Sequence, residues 1–306
     1  MLKSLAIVIP YFKITFFEKT LDSLANQSDK SFHVYIGNDA SEHNPLPLLA
    51  KYEGIFNFSY FYFRENLGSS SLVKQWNRCI DLTDKEEWLM ILGDDDELGA
   101  DCVAHFYDNL EEINLNKCKV VRFATKIYYD ENQKKSNVYV HPKLELATDF
   151  LYRKITDRTR SSLSEYIFKK TAFEKFGFED YNLGWYTDDR AWLEFSENLP
   201  IFSINSSIVS FRISNENISR ANYRAKEKLE AKVSFYKFVI EHYFINFNKD
   251  QKKEFLLQYE QLVYGSNLVT MNFIILLSKL FLLNNGVIQS AKFLRRLLIN
   301  ILSNGK

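Results

Sequence analysis

Four strand-like runs in the first 125 residues, at 5–9, 33–36, 58–63 and 88–92, each stop at a polar turn. Three of those turns lead into helix-like segments: one with Phe17, Leu21 and Leu24 at helical spacing, one running through Asn77 to Ile80, and one carrying Val103, Phe106, Tyr107 and Leu110. Thr15, Ser69 or Ser70, and Asp101 stand where helix caps are expected. Short apolar runs buried on both faces suit parallel strands, and parallel neighbours need a crossover, usually helical. The pattern therefore predicts an α/β fold with a mostly parallel central sheet flanked by helices. In such sheets ligands bind beyond the carboxyl ends of the strands, so the turns are where chemistry is expected. None of them carries GxGxxG or a P-loop, which argues against a dinucleotide fold and a P-loop ATPase.

Further along, residues 120–129 read as a strand, 130–137 as a polar turn, and a short strand runs through Val140. Residues 142–164 show no clear period. Helical pattern returns at 171–176 and 188–195, and 201–213 reads as a strand. From about 223 the chain is helical, at 225–245, 251–264, 267–283 and 289–303. A boundary near 221 separates a first domain, 1–221, from a helical C-terminal extension, 222–306; within the first, 1–125 forms one half and 126–221 the other.

Residues 1–225 carry 27 basic and 33 acidic side chains, net −6, whereas 226–306 carry 12 and 6, net +6. An acidic body with a basic end does not fit a nucleic-acid reader. It fits a protein whose C-terminal helices meet an anionic lipid surface or a second copy of the chain. Residues 268–283 are the most apolar stretch, yet sixteen residues rise only about 24 Å as a helix, short of the roughly 30 Å hydrocarbon layer. Asn272 and Lys279 interrupt it. The run ending at Pro10 is too short for a signal-peptide core. Cys79, Cys102 and Cys118 leave one thiol unpaired and lack metal-ligand spacing, as expected in a reducing, cytoplasmic compartment.

Three acidic sites follow strand or helix boundaries. Asp94-Asp95-Asp96 comes immediately after the apolar run 89–92. Consecutive carboxylates repel one another, and a strand end tolerates them where a cation such as Mg²⁺ or Mn²⁺ is the partner, or as a solvated acidic turn. Asp188-Asp189 opens a helix, either as first-turn carboxylates favoured by the dipole or as a general base. Asp39, in Gly37-Asn38-Asp39-Ala40-Ser41, suits a grip on a nucleoside or an Asx turn. The loop 64–68 contains Asn66 and Gly68, the glycine for a close backbone approach, with Lys74 and Asn77 on the helix that follows.

Taken in order, these segments resemble the family 2 glycosyltransferases of the GT-A fold. VIPYF resembles the family's first strand, with Pro10 in it, and GNDAS its nucleoside-binding turn. RENLG and WNRCI resemble its N-x-G and R-N elements, and ILGDDDEL its DxD motif; FGFEDYNLGWYTDDRAWLEF resembles the stretch leading to its acidic base. The resemblance covers roughly residues 4–220. It implies an inverting transfer from a nucleoside diphosphate sugar, with UDP favoured, to a hydroxyl of a saccharide or lipid-linked saccharide, in bacterial polysaccharide synthesis. Pro10, Asp39, Asn66, Gly68, Lys74, Asn77, Asp94 and Asp95 would then line the donor site. Asp96, Asp94 and Ser214 would hold a divalent metal (Mn²⁺ or Mg²⁺), and Asp189 would be the base with Asp188 as fallback.

The chain departs from the family at Asn38, where many relatives have aspartate, at Asp188 in place of a usual glutamate, and at Ser214, where some relatives have a metal-binding histidine. Two registers of the DxD element stay open: Asp94 paired with Asp96, or Gly93 in place of the first aspartate. Arg212 or Arg220 would offset phosphate charge, or each is an ordinary surface residue, a reading that suits Arg220 better. The basic, amphipathic segment 292–298 suits a cytoplasmic protein that meets the inner face of the cytoplasmic membrane peripherally, or an ordinary surface helix. The alternatives are a sugar-nucleotide pyrophosphorylase-like enzyme, whose glycine-rich N-terminal loop VIPYFKITFFEK lacks, and an inactive nucleotide-sugar-binding protein.

Overall fold

A computed structural model describes residues 5–214, 224–266 and 268–304. The chain divides into two compact units, Met1–Ala221 and Asn222–Lys306.

The first unit runs β1 (Leu5–Tyr11), α1 (Phe17–Ala25), β2 (Phe32–Asp39), α2 (Leu46–Leu49), β3 (Asn57–Phe63), α3 (Leu72–Ile80), β4 (Trp88–Ile91) and β5 (Glu97–Leu98). It continues with α4 (Cys102–Asp108), α5 (Leu110–Leu115), β6 (Val120–Tyr129), β7 (Lys134–Lys135) and β8 (Leu144–Leu146). Last come α6 (Ala147–Ile155), β9 (Tyr166–Lys169), α7 (Lys170–Phe176), α8 (Thr187–Phe195) and β10 (Pro200–Ile213). One sheet takes the order β3-β2-β1-β4-β9-β6-β10-β5, with β7 on β6 and β8 on β10.

Strands β3, β2, β1 and β4 are mutually parallel. Strand β9 is antiparallel to both β4 and β6, and β10 runs parallel to β6. The carboxyl ends of β1, β2, β4, β6 and β10 and the start of β9 therefore share one edge. Chain order reverses beside β1, with β2 on one side and β4 on the other, the position at which open α/β sheets place their ligand crevice.

The central strands are buried on both faces, as their apolar runs predict: Leu5, Ile7 and Ile9 pack with Trp88, Met90, Phe106 and Val121. A separate aromatic cluster joins β9 to α8 and to the segment after α7, where Trp192 stacks on Tyr166 at 4.0 Å and Phe168 meets Phe178 and Phe195. All three cysteines are buried free thiols.

Helix starts differ in detail from the sequence reading. Helix α1 begins at Phe17 after Phe16, with no side-chain cap. For α3 the cap is Ser71 rather than Ser69 or Ser70, its Oγ accepting the Lys74 N–H at 3.1 Å; Ser69 and Ser70 instead bond within the 66–70 turn. Asp101 precedes α4, but its carboxylate accepts from Ser28 Oγ and caps nothing.

The second unit comprises α9 (Ala225–His242), α10 (Lys249–Gly265), α11 (Met271–Asn285) and α12 (Val287–Asn304). Asn248 and Gln251 form a reciprocal capping box at α10, and Thr270 caps α11. Phe273, Phe281, Phe293 and Leu297 form its buried seam. Among the described residues no helix is long and apolar enough to cross a membrane.

Candidate active site

Strand β4 ends beside β1, and the chain then turns through Gly93 and the three aspartates. The Asp94 Oδ2 accepts the backbone N–H groups of Phe12 and Lys13, just past β1, at 2.8 and 2.7 Å. The Asp96 Oδ1 accepts the Arg212 N–H at 2.9 Å, and Ser164 also hydrogen-bonds this carboxyl. The Gly93 N–H donates to Ser164 Oγ at 3.0 Å. Three separate strand ends thus fix one acidic turn. Its charge is incompletely offset: burial raises the Asp94 and Asp95 carboxyls, with neighbouring aspartates adding to Asp95, and pushes Asp96 up to about 6.

Arg212 braces this turn from the other side. Its Nε donates to the Asp95 carbonyl at 3.1 Å, and its guanidinium pairs with Glu97 and Asp130. It lies 4.5 Å from the Phe16 ring centroid and 4.7 Å from that of Tyr128. Ser214, one residue past β10, is buried on the same edge. Arg220 lies outside the described residues.

Asp39 ends β2. Its Oδ1 accepts the Leu67 N–H at 2.8 Å and pairs with Arg78, and its Oδ2 accepts the Gly68 N–H at 2.8 Å. This geometry explains Gly68: a Cβ there would stand 2.5 Å from Asp39 Oδ2. Asn38 bonds Tyr60 and the Ser41 N–H, while Asn66 turns back to the Ser69 N–H. Asn77 Oδ1 is buried without a hydrogen-bond partner, Lys74 is exposed, and Pro10 is half-buried opposite Gly37.

Asp189 stands in the first turn of α8 and is 4% exposed. Lys154, near the end of α6, places its Nζ 2.6 Å from both carboxylate oxygens. Burial pushes Asp189 up to about 6, opposed by Lys154 and assisted by Asp188. Asp188 is half-buried. Glu165, fully buried and pushed up to about 7 by that burial, acts on Lys154 and bonds Arg160, which also acts on Asp96. A line of charges therefore runs from the acidic turn to Asp189 through the 163–165 segment that precedes β9.

Lys154, Ser164, Glu165 and the bracing role of Arg212 emerge at the site only in the folded chain. Lys154, Ser164 and Arg212 make those contacts across 35, 71 and 117 positions, so no local pattern announces them, whereas Glu165 closes a Ser162-x-x-Glu165 capping box that the local pattern does carry. Among the described residues no group of three or more histidines, cysteines or acids converges as a metal cage.

The model of the glycosyl transferase family 2 matches residues 6–181, more than half of the chain. No curated protein matches it. Among solved structures, residues 1–349 of Staphylococcus aureus TarS in complex with UDP-GlcNAc superpose with a TM-score of 0.64 at 14% identity, over 92% of this chain and 81% of that one. The same fragment with UDP gives 0.60 at 13% identity, over 91% and 80%. Longer TarS gives 0.55 at 14%, over 94% of this chain and 54% of that one. At these identities the likeness shows the fold.

Proposed function

The chain belongs to glycosyl transferase family 2, and from that premise we propose that it moves a sugar from a UDP-sugar to a hydroxyl of a saccharide or lipid-linked saccharide, inverting the anomeric carbon, in bacterial polysaccharide synthesis. The UDP-sugar is favoured because TarS, whose fold is similar, has been crystallised with UDP and with UDP-GlcNAc.

In this reading the donor lies along the carboxyl edge, against Pro10, Asp39, Asn66, Gly68, Lys74, Asn77, Asp94 and Asp95. The Asp39–Gly68 contact holds the 64–68 loop close to β2, which shapes the nucleoside end of the crevice. Asn77 Oδ1, buried and unpartnered, is an acceptor available to a donor N–H or O–H.

A divalent ion, Mn²⁺ or Mg²⁺, belongs to the same reading. Asp96, Asp94 and Ser214 would hold it, since their oxygens are the hard donors such ions take, and the raised carboxyls mark negative charge that a cation would relieve. Each carboxylate keeps lone pairs beyond the hydrogen bonds it accepts. Among the described residues no three histidines, cysteines or acids converge there, so phosphate oxygens and water would complete the shell. Such an ion supplies charge stabilisation to the leaving diphosphate.

Asp189 takes the acceptor's hydroxyl proton as that oxygen attacks, with Asp188 the fallback. The observation that carries this reading is a buried carboxylate at a helix start whose proton affinity burial raises to about 6: ionised at neutral pH, yet basic enough to accept a proton. An Asp189→Asn enzyme should bind donor as the wild type does in calorimetry, with transfer reduced by orders of magnitude; undiminished transfer overturns the assignment.

The helical unit is the surface we assign to peripheral membrane contact. On α12, Val287, Leu294, Leu298, Ile301 and Leu302 are exposed on one stripe, Lys292 and Arg295 lie exposed along one side of it, and no acidic residue follows Glu260. An anionic bilayer complements such a face, and a homodimer is the competing occupant.

A further inference from the structure

Asp189 is held from a different element by a residue that the family reading leaves without a role. Lys154 arrives from the end of α6, 35 positions earlier in the chain, and its Nζ is equidistant, at 2.6 Å, from both Asp189 oxygens. The ammonium is 5.6 Å from the ring centroid of Tyr186, the residue that precedes α8 with a left-handed backbone. The Lys154 side chain is 22% exposed and that of Asp189 only 2%, so little water competes for the pair.

Asp189 faces Lys154 from α6, Asp188 from its own helix and Tyr166 from β9; Tyr186 adjoins it. Lys154 faces Asp188 and Glu165 as well. A carboxylate this deeply buried and lacking a cation would take up a proton rather than stay charged. A two-point contact also fixes the plane of the carboxylate, leaving the second lone pair of each oxygen for an incoming proton.

We infer that Lys154 is a positioning residue for Asp189, keeping its carboxylate ionised and oriented to receive the acceptor's proton. The inference rests on Asp189 being the base. A salt bridge that merely ties α6 to α8 would share the geometry but not the consequence: with Lys154 neutralised, the base should need higher pH to ionise. A nearby opposite charge lowers a carboxyl pKa by about one to three units, which sets the size of the effect.

The test is the pH profile of kcat/KM for the wild type, Lys154→Gln, Lys154→Arg and Asp189→Asn, with donor binding measured by calorimetry. Lys154→Met keeps the aliphatic stem and replaces Lys154→Gln if the latter does not fold. The neutral variants should move the acidic limb upward by about one pH unit or more. Below that limb they should lose about tenfold or more in rate, recover most of it above pH 9, and keep wild-type donor affinity. Lys154→Arg should keep the limb near its wild-type position. A neutral variant with an unmoved limb, whether fully active or uniformly slowed, overturns the role of Lys154. Undiminished transfer by Asp189→Asn instead overturns the base assignment itself, and with it this inference.

Discussion

Asp189 and Asp96 are both aspartates that burial has pushed up to about 6 from an ordinary 3.8. The native state therefore binds protons more tightly than the unfolded chain between about pH 4 and pH 6, and these two groups remove stability as pH rises through that window. At pH 7 both are ionised, and the proposed cation at the acidic turn would relieve the repulsion there. Adding Mn²⁺ should raise the melting temperature more at pH 7.5 than at pH 5; an equal rise at both would separate the ion from these carboxylates. Gly68 answers to sterics rather than charge. A Gly68→Ala side chain would collide with Asp39 Oδ2, and we expect a loss of about 1–3 kcal/mol in denaturant unfolding together with weakened donor binding. The need for a close approach at Gly68 is readable from the sequence. Its neighbour is not, because Asp39 lies 29 positions upstream and becomes adjacent only once β2 and the 64–68 loop are in place.

At the scale of elements, α8 is the part that presents Asp189, and its seat is aromatic. Trp192 lies one turn beyond Asp189, is 1% exposed, and stacks on Tyr166 of β9 with ring planes 17° apart. Trp192→Ala should cost about 3–5 kcal/mol of stability, seen as a lower urea midpoint, with a larger loss in kcat than in donor affinity because α8 loses its register over β9. An unchanged kcat would mean that α8 is aligned by other contacts. The parallel strands β1 to β4 were legible because each is an apolar run that stops at a turn. Strand β9 was not: the four residues YIFK carry no period that distinguishes strand from helix. Helix α6 was hidden likewise, since it follows the short strand β8 without a side-chain cap and its buried residues fall in sequence of mixed polarity. Lys154 stayed invisible for that reason, as part of an element the pattern does not announce.

For the molecule as a whole, the charge asymmetry along the chain coincides with an exposed apolar stripe on α12, and both features lie in the helical unit. Removal of residues 289–306 should abolish flotation with anionic vesicles, and Lys292→Glu with Arg295→Glu should weaken it in a salt-sensitive way; undiminished flotation would leave the stripe to a second copy of the chain. The other unit brings its acidic turn, the Asp39 loop and a network of buried charges to the carboxyl edge of one sheet, beside the strand where chain order reverses. The most direct measurement of the central claim is a crystal structure with a non-hydrolysable UDP-sugar and Mn²⁺. The ion and diphosphate should lie at Asp94 to Asp96, with the anomeric carbon turned toward Asp189 across room for a hydroxyl. A diphosphate bound elsewhere, with the triplet facing solvent and Asp189 remote from the sugar, would contradict that claim.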